Sequence, residues 1–450
     1  RLGLWWEDAV LTSEFSEHVI AYDSRTYVSF PNAVDRQIKT CLRTHATNVC
    51  YPVVQYTGAL YNASSQYMGD NPDRWMRAHP TDYDKTMAAA YSANGIGFYP
   101  TIRAWMLPSL ESSGLLKSQA VVENNPSENY INAVTKDGEV RQYDPMQGYT
   151  DTFPVVNCLH PSVCNATTDL IAEIADRMKD YSSFKGIMII NAESSIHGFG
   201  SLDVGYDDYT MHQFATDNGL SLPDYSGTDR FQLWRTWVHD HHWAAWQTWR
   251  KAQLYSHFSE WADIINAAKP GAKLVFSALA PRTDSEYNDG SIPWDEMAAN
   301  PNIQIVRAAQ VDGGVGEWFD PDGFSKDHTH GATAFYKYYE IGIPDGAPLL
   351  TLPTTWRSGY NYEHNWIATS PKPAGNEVNE CLAKAMAKYD PLDQFQGGFH
   401  VGSLGQEERI IPFAKAFNTL PNIKFDDDAH CDNTNVIFRT AVQDGKRYYY

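Results

Sequence analysis

The sequence predicts an α/β chain folded as a (β/α)8 TIM barrel, with long insertions in the βα loops and a short C-terminal β segment. Short apolar runs alternate with helical patterns eight times along the 450 residues, as a closed parallel sheet inside a shell of helices requires. The runs are apolar throughout instead of every second residue, the pattern of strands covered on both faces. The chain is also too long for most single domains unless it is a barrel carrying insertions.

In chain order, strands are expected at 2–7, 48–56, 96–103, 186–193, 273–279, 303–309, 348–354 and 395–400. Helical patterns fall between them at 32–43, 81–93, 168–181, 230–268, 377–389 and 407–417, while 293–299 and 332–340 must serve after the fifth and sixth strands. On the long helix, Trp234, Trp237, Trp243, Trp246, Trp249 and Trp261 recur near helical spacing, which marks the face packed on the barrel. Two insertions, 106–164 after the third strand and 194–229 after the fourth, are rich in Gly, Asp, Asn and Tyr; long loops at one end of a barrel build its ligand cleft. Beyond the last helix come Asp426-Asp427-Asp428, a strand at 435–440, a turn at Asp444-Gly445 and a strand at 447–450. That pattern is a hairpin or the start of a small β domain, so the expected division is 1–422 and 423–450.

A net charge of −20 and a pI near 5.1 exclude nucleic acid and an anionic membrane surface as expected partners, because the long-range field repels both. A neutral ligand fits, and 14 Trp with 27 Tyr favour one that stacks on rings. No apolar run reaches the roughly 18 residues of a membrane span. The oligomeric state stays open. Cys41, Cys50, Cys158, Cys164, Cys381 and Cys431 show no metal-binding CxxC spacing. Their even number suggests three disulfides, Cys41 with Cys50, Cys158 with Cys164 and Cys381 with Cys431, and hence a secreted or periplasmic protein; six buried free thiols are the alternative.

The fourth run, Phe184-Lys185-Gly186-Ile187-Met188-Ile189-Ile190-Asn191-Ala192-Glu193, delivers one carboxylate to the point where the apolar residues stop. In parallel sheets, chemistry gathers at the carboxyl ends of the strands. Several other stretches join it: Leu2-Gly3-Leu4-Trp5-Trp6, Asn94-Gly95-Ile96-Gly97-Phe98-Tyr99-Pro100, and His160-Pro161 ahead of the helix feeding Lys185-Gly186-Ile187. So do Tyr206-Asp207-Asp208-Tyr209, Phe214, Asp217-Asn218-Gly219, Trp246-Gln247-Thr248-Trp249-Arg250 and Lys269-Pro270-Gly271-Ala272-Lys273-Leu274. Together they resemble barrel glycoside hydrolases, in particular the β-galactosidase-like members of the large retaining clan. The resemblance implies an Asn-Glu pair ending the fourth strand, with the Glu as acid/base, and a nucleophilic Glu ending the seventh. Here the fourth strand ends Asn191-Ala192-Glu193, with one residue interposed, and the seventh runs Leu352-Pro353-Thr354-Thr355-Trp356-Arg357 without a carboxylate.

Cleaving a glycosidic bond takes two carboxyl groups, one protonating the leaving oxygen and one attacking carbon or activating water. Glu193 is the candidate proton donor. For its partner, Asp312 follows the sixth strand in Val311-Asp312-Gly313-Gly314, and Glu363 follows the seventh; Glu317, Glu7 and Asp8 come after them. Strand ends would present Trp5, Trp6, Glu7, Tyr56, Arg103, Trp105, Asn191, Arg282, Trp356, Arg357 and His400, with Trp318 and Trp366 from loops. Rings stack on pyranose faces while Arg, His and Asn bond hydroxyls. The expected partner is therefore a carbohydrate. No cofactor is called for: nucleotide-binding and GxSxG motifs are absent from the sequence. A barrel that binds glycans without cutting them is one alternative. A metal-dependent hydrolase using His239-Asp240-His241-His242 is another, although on a helix only His239 and His242 share a face.

Overall fold

The computed structural model describes residues 1–6, 30–56, 58–64, 82–143, 153–191, 195–199, 201–278, 291–310, 349–352, 383, 386, 390–398, 407–428 and 436–450. Eight parallel strands lie on the expected runs: β1 (Leu2–Trp6), β2 (Asn48–Tyr56), β3 (Gly97–Ala104), β4 (Gly186–Asn191), β5 (Lys273–Ala278), β6 (Ile303–Gln310), β7 (Leu349–Leu352) and β8 (Gln394–Gly398). They neighbour one another in chain order. The ring closes because β1 pairs with β8, from Leu2↔Gln394 to Trp6↔Gly398, and also with β2, from Gly3↔Asn48 to Trp5↔Cys50. This is the TIM barrel.

Alternation along each strand divides the core in two. Trp5, Cys50, Met188, Ile190, Val275, Val306 and Phe395, with Tyr99 against them, fill the inside of the ring. Leu4, Trp6, Val49, Tyr51, Phe98, Ile102, Ile187, Ile189, Leu274 and Phe276 face the helices. Gly3 belongs to the inward series, where a Cβ would stand 2.5 Å from Phe395 Cδ1; the bare backbone makes room for that ring.

The helical shell follows from capping and amphipathic spacing. Helix α1 (Phe30–Thr44) buries Ala33, Val34, Gln37, Ile38, Cys41 and Thr44, one stripe of a 3.6-residue period. Helix α2 (Tyr83–Asn94) stops at Gly95, whose φ of 68° is the left-handed C-terminal geometry that glycine permits. Helix α3 (Pro161–Met178) begins earlier than the apolar pattern suggests, because Pro161 takes the first turn and His160 Nδ1 accepts from the Ser162 amide. The long pattern becomes α5 (Arg230–Trp237) and α6 (Trp243–Ala268) joined by a π-helical turn, Val238–His242. That turn brings residues five apart onto one face, with the Trp237 and His242 rings 4.5 Å apart. Helices α7 (Trp294–Ala299) and α8 (Glu407–Thr419) occupy their expected places. The stretch 332–340 and most of 377–389 lie outside the described residues.

The two long insertions fold together as one cap beside the ends of β3 and β4. Backbone bonds tie them, Lys136 N to Asp203 O at 2.7 Å and Gly205 N to Val134 O at 2.9 Å. Helix α4 (Asp208–Asp217) is held by a fully buried ion pair: Arg230 Nε and Nη2 each donate at 2.8 Å to the Asp208 carboxylate, and the same guanidinium donates to the carbonyls of Val122 and Glu123. The C-terminal segment is a three-stranded antiparallel sheet, β9 (Asp426–Asp427), β10 (Arg439–Gln443) and β11 (Lys446–Tyr449). Asp444 and Gly445 turn it with φ of 51° and 73°, the two positive values of a type I′ hairpin. Arg439 Nη1 donates to the Met386 carbonyl and Tyr450 to Asp390, docking the sheet at the amino end of the barrel.

The cysteines correct the sequence reading. Cys41, Cys50, Cys158 and Cys164 are free buried thiols, so the Cys41–Cys50 and Cys158–Cys164 pairings are not formed. Strand alternation explains the first: Cys50 points into the ring while Cys41 packs from α1 against its outside. For the second, the Cys164 thiol donates to the Cys158 carbonyl at 3.1 Å and lies 3.2 Å from His257 Nε2. Burial pushes the Cys41 and Cys164 thiols up to about 12. Cys381 and Cys431 lie outside the described residues.

Candidate active site

At the carboxyl ends of the strands, the ring presents an inward and an outward set. Trp5 is fully buried inside it, with no hydrogen-bond partner at Nε1 among the described residues. Arg103 continues the inward series of Tyr99 and Thr101 along β3. Ser277 follows Val275 inward on β5, pairs with Val306 of β6, and has a buried Oγ without a partner among the described residues. Tyr56 ends β2 opposite Ala104.

Other expected site residues sit outside the ring wall. Trp6 packs edge-on against Tyr51 with centroids 6.0 Å apart, and Trp105 belongs to the same outer core. Asn191 closes β4 on the side of Ile187 and Ile189, against Gly198: a Cβ there would stand 3.2 Å from both Oδ1 and Nδ2. Glu193, Asp312, Glu363, Glu7, Arg282, Trp318, Trp356, Arg357 and His400 lie outside the described residues, as do Glu317, Asp8 and Trp366.

Every residue of 195–199 is buried. Ile196 N donates to the Ala104 carbonyl at 3.1 Å, joining this segment to the end of β3. His197 N donates to Ser195 Oγ at 3.3 Å, and the His197 ring stands edge-on to Trp261 of α6, 5.6 Å between centroids. Burial pulls its imidazole down to about 3, so His197 is neutral across the working pH of proteins. Sequence reasoning missed both Ser277 and His197. The first was legible as the polar residue in Leu274-Val275-Phe276-Ser277-Ala278; the second needed the fold.

Among the described residues, no three His, Cys, Asp or Glu side chains come together as a metal site. His239 and His241 are exposed, and His239 pairs with Asp240 at 3.1 Å. No helix among those residues is long and apolar enough to cross a membrane.

Neither a protein-family model nor a curated protein matches the sequence. Solved structures do match. The chain is similar to the β-galactosidase of the psychrophilic Marinomonas ef1, with 13% identity, a TM-score of 0.54, and coverage of 93% of this chain and 59% of that one. It is similar to the β-galactosidase of the Antarctic haloarchaeon Halorubrum lacusprofundi at 14% identity and a TM-score of 0.53, over 95% and 59% of the two chains. In fold, the chain is a TIM barrel. A GH42 β-galactosidase from G. stearothermophilus gives 11% identity and a TM-score of 0.50, over 92% and 56%. The chain thus spans less than two thirds of the length of each of these relatives.

Proposed function

We propose that this chain is a glycoside hydrolase acting on an oligosaccharide or polysaccharide, with Glu193 as proton donor and Asp312 or Glu363 as the second carboxyl group. The observation that carries the reading is β4, whose inward Met188 and Ile190 and outward Ile187 and Ile189 make it a rigid wall strand ending two residues before Glu193. Strand ends fix catalytic groups better than loops do. Arg103, Trp5 and Ser277 supply hydrogen-bonding groups on the inward side of the same end of the ring, the mixture of apolar wall and few polar groups that small-ligand sites use. The clan resemblance favours retention of configuration.

A second reading, a glycan-binding barrel without catalysis, is favoured by Leu352-Pro353-Thr354-Thr355-Trp356-Arg357, where the seventh strand runs out without a carboxylate. Calorimetric binding and reducing-end release across one panel of glycans separate the two. Hydrolysis of any member by the wild-type chain supports the first reading; binding without release by a folded wild-type chain establishes the second. Export to an oxidising compartment remains a proposal resting on Cys381 and Cys431 alone.

A further inference from the structure

Two buried polar side chains, on either side of the proposed acid in the sequence, find no partner among the described residues. Asn191 is 7% exposed with Oδ1 unbonded, and His197 is 1% exposed with neither Nδ1 nor Nε2 in a hydrogen bond. A buried polar group left unpaired is destabilising. A phenylalanine at 197 would keep the edge-on contact with Trp261 and carry no such penalty, so packing alone does not account for the histidine. The two residues are close: the backbone of Gly198, next to His197, lies against the Asn191 amide, within reach of a Cβ at 3.2 Å. The Ser195–Gly198 stretch is pinned where Gly198 N donates to Ser195 O at 3.4 Å and Ile196 N to Ala104 O at 3.1 Å.

We propose that Asn191 and His197 share an internal water that positions the segment carrying Glu193. The water donates one hydrogen to Asn191 Oδ1 and accepts the N–H of the neutral imidazole, closing a polar node behind the end of β4. A buried site holds water when it offers about two to four polar partners, and Asn191 Oδ1 with the two imidazole nitrogens meets that count. His197 is then a positioning residue, acting through the chain it anchors and not on the sugar. The role in positioning rests on the hydrolase reading above; the water does not.

Two measurements test this. A crystal structure of the wild-type chain should show density for a water within about 3.2 Å of both Asn191 Oδ1 and a His197 ring nitrogen; a dry contact there overturns the proposal whatever the activity. His197→Phe removes one of the water's partners and should lower kcat about tenfold or more at little change in KM, with a shifted pH profile of kcat. His197→Asn, which can still bond the water, should restore part of the rate. A His197→Phe chain with wild-type kcat and pH profile defeats the positioning role. A wild-type chain that hydrolyses no glycan defeats the hydrolase reading and the positioning role with it, and leaves the water to be decided by the density.

Discussion

Asp207 caps α4 with a carboxylate that accepts from Thr210 N at 3.0 Å and from Asn157 Nδ2 at 2.9 Å, yet burial pushes it up to about 7 from an ordinary 3.8. The folded chain therefore keeps a proton that the unfolded chain releases between those two values. Its contribution to stability, on the order of 4 kcal/mol, is complete below pH 4 and is lost as pH rises toward 7. Melting temperatures across that range should fall for the wild type and stay flatter for Asp207→Asn, which keeps an acceptor and cannot ionise; parallel curves would refute the assignment. Gly3→Ala drives a methyl into Phe395 inside the ring and should cost about 1–3 kcal/mol in a denaturant titration, whereas an unchanged midpoint would mean that the ring yields. At this scale the sequence displayed the residue types and hid their directions. Trp5 and Trp6 read alike, and only the register that places Gly3 and Trp5 inward shows that Trp6 belongs to the helix layer. The same parity separates Cys41 from Cys50.

The strands were legible nearly to their ends, because a strand covered on both faces must be apolar throughout and these runs are. The helices were legible where the apolar stripe begins with the helix, as in α1, and misplaced where a cap begins it, as at His160 and Pro161 in α3. The π-helical turn was invisible because its signature is a contact, Trp237 over His242. The union of the two insertions into one cap was also hidden, since Arg230 and Asp208 reveal nothing as a pair until they meet. Arg230→Met leaves the Asp208 carboxylate buried without its counter-charge, which should cost about 3–5 kcal/mol. Limited proteolysis should then open the chain within 106–160 before it attacks the barrel strands. A variant as stable and as protease-resistant as the wild type would show that the pair does not hold the cap.

For the molecule as a whole, the closed barrel and its long insertions followed from alternation and length, and the choice of chemistry did not. The apolar run leading to the proposed donor Glu193 declares itself in the sequence, but no periodicity marks a proposed partner such as Asp312 or Glu363. The free thiols give a global check: Cys41, Cys50, Cys158 and Cys164 should resist a thiol reagent in the native state and all react in denaturant without reductant. Fewer new thiols than these four on unfolding would restore the bridges. The most direct test of the central claim, that the fourth strand displays a proton donor to a glycosidic oxygen, compares leaving groups. Glu193→Gln should lose about 10²–10⁴-fold in rate on a natural glycan, whose leaving alcohol needs a proton, and far less on a dinitrophenyl glycoside, whose leaving group departs without one. Equal losses on both substrates, or no loss on either, would contradict the claim.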